Sequence, residues 1–510
     1  MNKKPSHFRL KNKAVFLGNL AIGSDYPIRI QSMCNTDTLD TDATVRQCLD
    51  LAKLGCEIIR IACPSVKDAE NLQKIKDKLQ ENGCFVPLIA DVHFNPKVAE
   101  IAAAIVEKVR INPGNYIDRK GDRFFDEEKA TARLRLLVDI CKKHETAIRV
   151  GSNHGSLSNR ILNKYGNTAE AMVFSALEFV EILEKLGFYK TIISMKSSSV
   201  SMMIEANRLL VKEMQKREHQ YPLHLGVTEA GSGKEAIIKS ACGIGALLKE
   251  GIGDTIRVSL TGNPLKEIPV AQDLTAVCKG DKQRFSYFLE KTIENHAKPD
   301  FVVLGNKETK TYPANITALE AKEQGFQFLE EGVFPETASE GKNILSINGE
   351  NYSASDYTLY TAASSTAYLL SYICIGLYLQ HHNVSTEENN RLSFDILQSL
   401  KLKITANEYI ACPSCGRTLC DVEKVLEEVK KRTSKFKGLT IGVMGCIVNG
   451  PGEMQGADFG LVGSGKNQFS LFVKGKITQK NIPEKEAVNV LLDIIEKTQE
   501  QSRKNKKISI

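Results

Sequence analysis

The sequence predicts an α/β protein: an N-terminal (β/α)8 TIM barrel, an inserted α/β middle domain and a C-terminal α+β domain. Eight short aliphatic segments recur through the first half of the chain, and amphipathic stretches such as residues 42–54 and 167–186 lie between them. Eight such units fit the length of a (β/α)8 barrel. An open doubly wound sheet also alternates strands and helices, but it usually begins with a glycine-rich turn that this sequence lacks.

The eight predicted strands are short aliphatic runs separated by stretches long enough for one crossover helix each. They cover residues 27–32, 57–62, 87–92, 108–112, 147–151, 191–196, 222–228 and 255–260. The spacing therefore predicts parallel strands joined by helices, as in a barrel.

The pattern changes near residue 276, and we divide the chain into residues 1–275 (barrel), 276–393 (inserted domain) and 394–510 (C-terminal domain). The insert contains no chemical motif. Its apolar run 366–380 predicts a buried helix, because about 15 residues are too few to cross a bilayer. In and just before the C-terminal domain we predict helices at 391–402, 421–430 and 484–497 and strands at 439–444 and 469–473.

Composition and charge exclude several classes of protein. With 42% hydrophobic and 25% charged residues, the chain is ordinary globular protein. A net charge of +7 over 510 residues, with no tryptophan, does not indicate nucleic-acid binding. No apolar run is long enough to span a membrane, and the N-terminus lacks the features of an export signal. Thirteen cysteines then predict a cytoplasmic protein whose thiols are reduced or bind metal.

Basic residues recur in the predicted barrel strands as an arginine between two aliphatic neighbours. Alternation along a strand points such an arginine into the barrel, near the rim where active sites of this fold lie. Four arginines share this pattern and the sixth strand ends in a lysine: Arg60, Arg110, Arg149, Arg257 and Lys196. Arg29 lies early in its strand and is a weaker candidate. Because Asp91 and Glu229 are too few to neutralise these cations, we predict a phosphate or diphosphate pocket.

Polar residues accompany the cations near the strand ends. They are His93, Asn112, Asn153 and Ser259. Asp91 and Glu229 could hold substrate hydroxyls or move protons. For each of these side chains, a structural hydrogen bond is the alternative. The glycine-rich strings of the barrel match neither a P-loop nor a dinucleotide-binding turn.

Two cysteine motifs mark the C-terminal domain. Residues 411–420 read ACPSCGRTLC and residues 445–453 read GCIVNGPGE. The C-x-x-C turn of Cys412 and Cys415, with Cys446 in a glycine- and proline-rich loop, supplies three thiolates. With one more ligand they fit either a structural zinc or an iron–sulfur cluster. Cys420 could complete a four-cysteine site, although the helical stretch after it favours packing as a small apolar residue.

These two motifs, with PIRIQSMCNTDTLDTDATVRQ, ADVHF, VRINPGN, HLGVTEAG and GIGDTIRVSL, resemble the 4-hydroxy-3-methylbut-2-enyl diphosphate synthase family. The resemblance covers about residues 10–275 and 393–495. The segment between them resembles the middle domain of the longer members, but it is shorter. It implies reductive ring opening and dehydroxylation of 2-C-methyl-D-erythritol 2,4-cyclodiphosphate. Two electrons would pass through a [4Fe–4S] cluster. Its ligands would fall on Cys412, Cys415, Cys446 and Glu453.

The resemblance also assigns roles in the barrel. The diphosphate-holding positions fall on Arg60, Arg110, Arg149, Asn153, Lys196, Arg257 and Ser259. Glu229 matches a carboxylate near the reacting carbons and is the expected proton donor, while Asp91 and His93 would orient hydroxyls. Glu453 would be a displaceable iron ligand. A ferredoxin or flavodoxin is the implied electron donor, and a homodimer the implied assembly.

Two other functions fit part of the pattern. A phosphate-binding barrel with a structural zinc ribbon would be non-redox and would depend on Cys420. A barrel enzyme of the pteroate-synthase kind would use the anion pocket for a pterin diphosphate. The sequence also leaves open whether the cysteine domain covers the barrel of its own chain or, as in compact members of the family, that of a dimer partner.

Overall fold

The computed structural model describes residues 7–118, 124–290, 299–305, 307–309, 312–334 and 342–508. In chain order the strands are β1 (Val15–Leu17), β2 (Leu20–Ile22), β3 (Arg29–Met33), β4 (Ile58–Cys63), β5 (Leu88–Val92), β6 (Lys108–Ile111), β7 (Ala147–Asn153), β8 (Thr191–Lys196), β9 (His224–Leu225), β10 (Thr255–Ile256), β11 (Val302–Leu304), β12 (Gln327–Glu330), β13 (Asn343–Asn348), β14 (Gly376–Gln380), β15 (Glu408–Ala411), β16 (Thr440–Met444), β17 (Phe459–Gly465), β18 (Gln468–Val473) and β19 (Lys476–Pro483).

The helices are α1 (Thr41–Lys53), α2 (Val66–Glu81), α3 (Pro96–Ala103), α4 (Pro113–Tyr116), α5 (Glu127–His144), α6 (Asn159–Tyr165), α7 (Ala169–Lys185), α8 (Val200–Gln215), α9 (Gly233–Ser240), α10 (Ala246–Lys249), α11 (Glu267–Val277), α12 (Lys282–Glu290), α13 (Ala318–Glu323), α14 (Ala354–Leu370), α15 (Thr386–Ser399), α16 (Val422–Thr433), α17 (Gly450–Glu453) and α18 (Glu484–Ile508). Among the described helices, none is both long and apolar enough to cross a membrane.

The predicted barrel is confirmed. Strands β3 to β10 form one parallel sheet in the order β8-β7-β6-β5-β4-β3-β10-β9. Isolated parallel bridges from Ile193 to Leu223 and from Ser197 to Val227 join its two edges and almost close the ring. Strands β9 and β10 have only two residues each, shorter than their aliphatic runs predict, and irregular backbone carries the chain on to the rim.

The amino-terminal end of the barrel is closed by an antiparallel hairpin, β1–β2, which the sequence analysis did not predict. Its side chains pack on the lowest residues of the barrel interior, in one apolar cluster formed by Val15, Leu17, Ile22, Ile58, Ile89, Ala147 and Ile192. Apolar side chains therefore fill most of this end of the barrel, and Lys108, which is in register with Ile89 and Ala147, is a buried charged residue among them.

A second sheet of four parallel strands follows, in the order β11-β14-β13-β12. The single buried helix predicted for residues 366–380 is wrong. Helix α14 ends at Leu370, the backbone turns at Tyr372 with a φ of 53°, and β14 begins at Gly376. A continuous apolar run reads the same for a buried helix and a buried parallel strand, so its composition does not reveal the turn.

The C-terminal part, here called the cysteine lobe (residues 408–508), is a five-stranded mixed sheet in the order β15-β16-β17-β18-β19. Helices α16 and α18 bury their apolar faces on this sheet. The predicted segments correspond to α15, α16, β16, β18 and α18. Strands β15, β17 and β19 were not predicted.

Candidate active site

One cavity lies between the carboxyl ends of the barrel strands and the loops of the cysteine lobe. The barrel contributes ten predicted residues: Arg60, Asp91, His93, Arg110, Arg149, Asn153, Lys196, Glu229, Arg257 and Ser259. The lobe contributes Cys412, Cys415, Arg417, Cys446 and Asn449, among others. A single chain therefore builds both walls of the cavity.

Backbone contacts fasten the lobe to the barrel just before the C-x-x-C turn. Ala411 at the end of β15 forms a parallel bridge to Ala230, and its N–H donates to the carbonyl of Glu229 at 3.2 Å. The hydroxyl of Thr261 donates to the carbonyl of Cys412 at 3.1 Å. These bonds connect the position of Cys412 directly to the backbone of Glu229.

Ion pairs reinforce the same interface further out. Glu408 of β15 pairs with Lys239 of α9 at 2.9 Å and with Lys401 at 2.9 Å. Glu235 of α9 pairs with Lys430 of α16 at 2.9 Å. The lobe thus covers the barrel of its own chain, which is one of the two arrangements that the sequence left open.

The cations in the cavity differ in their counter-charges. Arg257 pairs with Glu267 of α11 at 2.9 Å, a partner that the sequence analysis missed. Arg110 lies 3.3 Å from Asp91. Within the described parts of the chain, Arg60, Arg149 and Lys196 form no recorded ion pair, although all three line the cavity. Three cations that face one cavity without an ion pair favour an anionic ligand.

Burial and mutual repulsion act on these unpaired cations. Burial lowers the pKa of Arg60 to about 10. For Arg149 and Lys196, burial and neighbouring arginines hold the pKa well below its usual range. The Nε and one terminal nitrogen of Arg149 have no hydrogen-bond partner among the described residues. A multiply charged anion would relieve both the repulsion between the cations and the missing hydrogen bonds, because it supplies opposite charge and hydrogen-bond acceptors together.

Asp91 and His93 lie beside Arg110 at the end of β5. The His93 Nε2 contacts Arg110, and the side-chain amide of Asn115 lies 3.0 Å from His93 Nδ1. Burial and the adjacent arginine lower the pKa of His93 to about 3, so its ring is neutral at ordinary pH. Arg60, Arg417 and Arg110 hold the pKa of Asp91 well below its usual range despite its burial.

The two predicted asparagines occupy different places. Asn153 lines the cavity, and its side-chain oxygen accepts a hydrogen bond from the N–H of Gly155 at 3.0 Å. Asn112 does not line the cavity. Its oxygen caps α4 through the N–H of Gly114, and its amide donates to Ser156 at 2.8 Å. The structure thus gives Asn112 a local structural contact and brings the other barrel candidates together.

The three cysteines of the motifs face the barrel cations across the cavity. The N–H of Gly445 donates to the sulfur of Cys412 at 3.2 Å, and Arg417 lies 3.9 Å from the sulfur of Cys415. Burial and the proximity of other thiols raise the pKa of Cys412, and raise that of Cys446 to about 11. A bound metal would supply the positive charge that favours the thiolate form of such a group.

Cys420 lies elsewhere. Its sulfur contacts the carbonyl of Gln468 at 3.2 Å and belongs to the apolar cluster beneath the five-stranded sheet. It does not line the cavity that Cys412, Cys415 and Cys446 share. A four-cysteine zinc site is therefore disfavoured by the geometry.

Glu453 and Glu229 lie on the border between lobe and barrel. Glu453 does not line the cavity, and its Oε2 accepts from the hydroxyl of Ser198 at 2.7 Å. Its Oε1 has no partner among the described residues, nor has the Oε2 of Glu229. Burial raises the pKa of both carboxyls to about 7, and for Glu229 the Glu453 carboxylate adds to the effect.

The side chains offer a partial fit to the iron–sulfur cluster that the motifs imply. Among the described residues, no group of three or more His, Cys, Asp or Glu side chains is arranged to hold a metal ion. Three free thiols nevertheless share one cavity, two of them beside N–H donors, and Glu453 offers an unpartnered oxygen at the border of that cavity. The donor types suit iron in a sulfur-rich cluster, with a carboxylate as the weaker ligand.

Sequence reasoning missed three residues that shape this site. Glu267 neutralises Arg257, Arg417 pairs with Asp91 at 2.8 Å, and Asn449 donates to Glu229 at 3.1 Å. Arg417 and Asn449 lie within the two cysteine motifs, so the motifs could have marked them as candidates. The sequence gives no indication of their partners. Glu267 lies in an ordinary helix, where its sequence context has no distinguishing feature.

Comparison with known proteins gives consistent matches. Residues 12–272 match the profile of the GcpE TIM-barrel domain and residues 408–497 that of the GcpE protein C-terminal domain. The chain is 37% identical to a 4-hydroxy-3-methylbut-2-en-1-yl diphosphate synthase (flavodoxin) of Bacteroides thetaiotaomicron, over 96% of this chain and 98% of the relative. A protein of the same name from Chlamydia pneumoniae is 37% identical, over 96% of both chains.

Among solved structures, dihydropteroate synthase from Xanthomonas albilineans in complex with 7,8-dihydropteroate is similar to 52% of this chain. The match covers 96% of that chain, with 14% identity and a TM-score of 0.35. A similarity of this size carries no argument about function.

Proposed function

The chain belongs to the GcpE family, and we propose that it converts 2-C-methyl-D-erythritol 2,4-cyclodiphosphate to 4-hydroxy-3-methylbut-2-enyl diphosphate. In this reaction a carbon–oxygen bond to the cyclic diphosphate breaks, a hydroxyl leaves as water and two electrons enter. The printed names of the full-length relatives support the proposal. One observation carries it: unpaired barrel cations face three thiols across a single cavity.

We assign the diphosphate to the cations of the barrel. Arg60, Arg149 and Lys196 have no recorded ion pair within the described chain and face the cavity, so they are free to bind phosphate oxygens. Arg110 and Arg257 are partly neutralised by their carboxylates and would fix the orientation of the anion. Ring opening adds negative charge to the diphosphate, and this set of cations would stabilise that charge as it develops.

Asn153 and Ser259 also line the cavity and supply neutral hydrogen-bonding groups beside these cations. His93 is kept neutral, and a substrate hydroxyl would have to replace Arg110 or Asn115 at one of its ring nitrogens. Asp91 is engaged by Arg110 and Arg417. We therefore assign it to holding those arginines, with contact to a hydroxyl as a secondary role.

A [4Fe–4S] cluster would be held by Cys412, Cys415 and Cys446, with Glu453 as the fourth ligand. When bound, such a cluster supplies electrons one at a time and a Lewis-acidic iron. The N–H groups near the sulfurs of Cys412 and Cys415 would stabilise thiolate charge. Glu453 would have to leave its contact with Ser198, or share its free oxygen, to become a ligand.

Glu229 is our candidate for the proton that completes the departing water. Its carboxylate lines the cavity, and one of its oxygens has no partner among the described residues. Asn449 holds the other oxygen. A carboxyl held by Asn449 at one oxygen, with its pKa raised by burial and by the neighbouring Glu453, is well placed to donate. The electrons would come from flavodoxin, which the names of the relatives print.

The test begins with anaerobic purification of the full chain, iron and sulfide analysis and an optical spectrum. We expect about four irons and four sulfides per chain and absorption in the brown iron–sulfur region. With reduced flavodoxin, the cyclic diphosphate should be turned over to the linear diphosphate and water. Glu453→Ala and Cys412→Ala should abolish this turnover.

Two outcomes would contradict the proposal. One zinc per chain, lost in Cys420→Ala, would favour the structural zinc ribbon. Turnover of a pterin diphosphate without any reductant would favour a pteroate-synthase-like activity. Cys141→Ala is a matched control, because Cys141 is buried in the barrel away from the cavity and should keep both cluster and activity.

A further inference from the structure

The C-x-x-C loop of the lobe carries one charged side chain that reaches across to the barrel. Arg417, two residues after Cys415, is the only charged residue that the described part of the lobe contributes to the cavity. Its terminal nitrogens bond the carboxylate of Asp91 at 2.8 Å and the backbone carbonyl of the same residue. Both side chains are buried, with 9% and 4% exposure.

Asp91 is shared between the two parts of the molecule. One of its oxygens pairs with Arg417 of the lobe, and the other lies 3.3 Å from Arg110 of the barrel. The planar guanidinium of Arg417 meets both the side chain and the backbone of Asp91, a two-point contact that fixes its direction as well as its distance. The same guanidinium lies 3.9 Å from the sulfur of Cys415.

The loop sits close to the barrel at this point. A β-carbon on Gly416 would come within 2.8 Å of the carbonyl oxygen of Thr36, in the loop after β3. No side chain therefore fits between the loop and the barrel at Gly416 unless the backbone shifts. No other charged contact joins the described residues 412–420 to the barrel rim.

We propose that Arg417 is a positioning residue: by pairing with Asp91 it holds the C-x-x-C loop on the barrel rim and sets the separation between the thiols and the anion-binding cations. The proposal deepens the proposed function, on which its meaning for catalysis rests. The structural part of the proposal, that Arg417 docks the loop on the barrel, can be tested without measuring turnover.

The test uses the full chain, reconstituted anaerobically, as wild type and as Arg417→Gln. Hydrogen exchange of peptides covering residues 412–420 reports docking of the loop. Calorimetric titration with inorganic pyrophosphate measures the affinity of the barrel cations for an anion. For Arg417→Gln we expect exchange at least tenfold faster, a pyrophosphate Kd within threefold of wild type, and kcat lowered at least 30-fold with KM nearly unchanged.

Two variants sharpen the comparison. Asp91→Asn should speed hydrogen exchange in the same peptides. The double variant Arg417→Gln/Asp91→Asn should exchange no faster than the faster of the two single variants, because each substitution removes the same ion pair. Arg432→Gln is the matched control: this arginine lies on α16 of the same lobe, its side chain is 39% exposed, and its partners among the described residues all belong to the lobe. It should leave exchange, pyrophosphate binding and turnover unchanged.

Unchanged exchange in Arg417→Gln would overturn the proposal. So would a loss of pyrophosphate affinity as large as that of Arg110→Ala, which would make Arg417 a ligand of the anion. Iron is counted in every variant. If Arg417→Gln loses its cluster, the variant Arg417→Lys is measured in its place. We expect hydrogen exchange of residues 412–420 to be threefold to tenfold faster in Arg417→Lys than in wild type. An exchange rate equal to that of wild type would overturn the proposal. If wild type does not turn over the cyclic diphosphate, the proposed function fails while the exchange data still decide the docking role.

Discussion

The side-chain amide of Asn449 donates a 3.1 Å hydrogen bond to the Oε1 of Glu229, across 220 positions of the chain. Asn449 lies in the second cysteine motif, and Glu229 follows β9 at the barrel rim. Glu229 has a φ of 52°, a left-handed conformation that costs a residue with a side chain about 1–3 kcal/mol. The bond from Ala411 to the Glu229 carbonyl helps hold that conformation. The lobe thus orients a barrel carboxylate from two sides.

We expect Asn449→Ala to lower kcat about 10–100-fold while KM changes less than threefold, because Glu229 loses the bond that aims its carboxyl. Steady-state kinetics with the cyclic diphosphate measure this. Asn489→Ala, on the outer helix α18 of the same lobe, is the control. An equal rise in KM would instead mean that Asn449 binds the substrate.

The counter-charges in the cavity predict opposite effects of two arginine substitutions. Arg257→Met leaves Glu267 buried and unpaired, which costs about 3–5 kcal/mol of stability. Arg149→Met removes a buried cation that has no recorded ion pair within the described chain, and should leave stability unchanged or raise it. The thermal unfolding midpoint should therefore fall for Arg257→Met and stay the same or rise for Arg149→Met.

Both arginine variants should bind pyrophosphate at least about tenfold more weakly, since each loses a charge-assisted contact. Calorimetric titration measures this. Equal destabilisation by the two substitutions would show that Arg149 has a counter-charge in the folded protein.

The cysteines should differ in their importance for the cluster. Cys415→Ala should lose most of its iron, whereas Cys420→Ala should keep about four irons per chain, because its sulfur packs under the five-stranded sheet. Iron and sulfide analysis after anaerobic reconstitution decides between them. Iron lost equally in both variants would restore Cys420 as a ligand.

Closure within one chain predicts the outcome of a mixing experiment. Arg110→Ala disables the barrel and Cys446→Ala disables the lobe. Since Ala411 and Glu229 of the same chain are hydrogen-bonded, mixed variants should recover no activity. Recovered activity, up to about a quarter of wild type in a random dimer mixture, would show that the lobe serves a partner's barrel.

Local patterns were sufficient for the barrel and for its arginines. Alternation turns an arginine between two aliphatic strand residues away from the helices, and its position along the strand decides whether it reaches the cavity. Arg29, the first residue of β3, pairs with Glu57 at 2.7 Å and does not line the cavity. The apolar run 366–380 was misread because helix and buried strand share its composition, and the turn at Tyr372 depends on how α14 and β14 pack. Strands β9 and β10 were predicted too long, because the aliphatic composition of their runs does not reveal where the backbone leaves the sheet.

By itself the sequence determined the family, the barrel and the residue types that meet in the cavity, since these follow from short periodicities and from motifs contiguous in the chain. Only the tertiary structure decided the pairings. Asp91 and Arg417 are 326 positions apart, and neither residue type nor spacing names the other as its partner. The choice between closing on its own barrel and on another's also belongs to the tertiary structure, because both arrangements bury the same side chains.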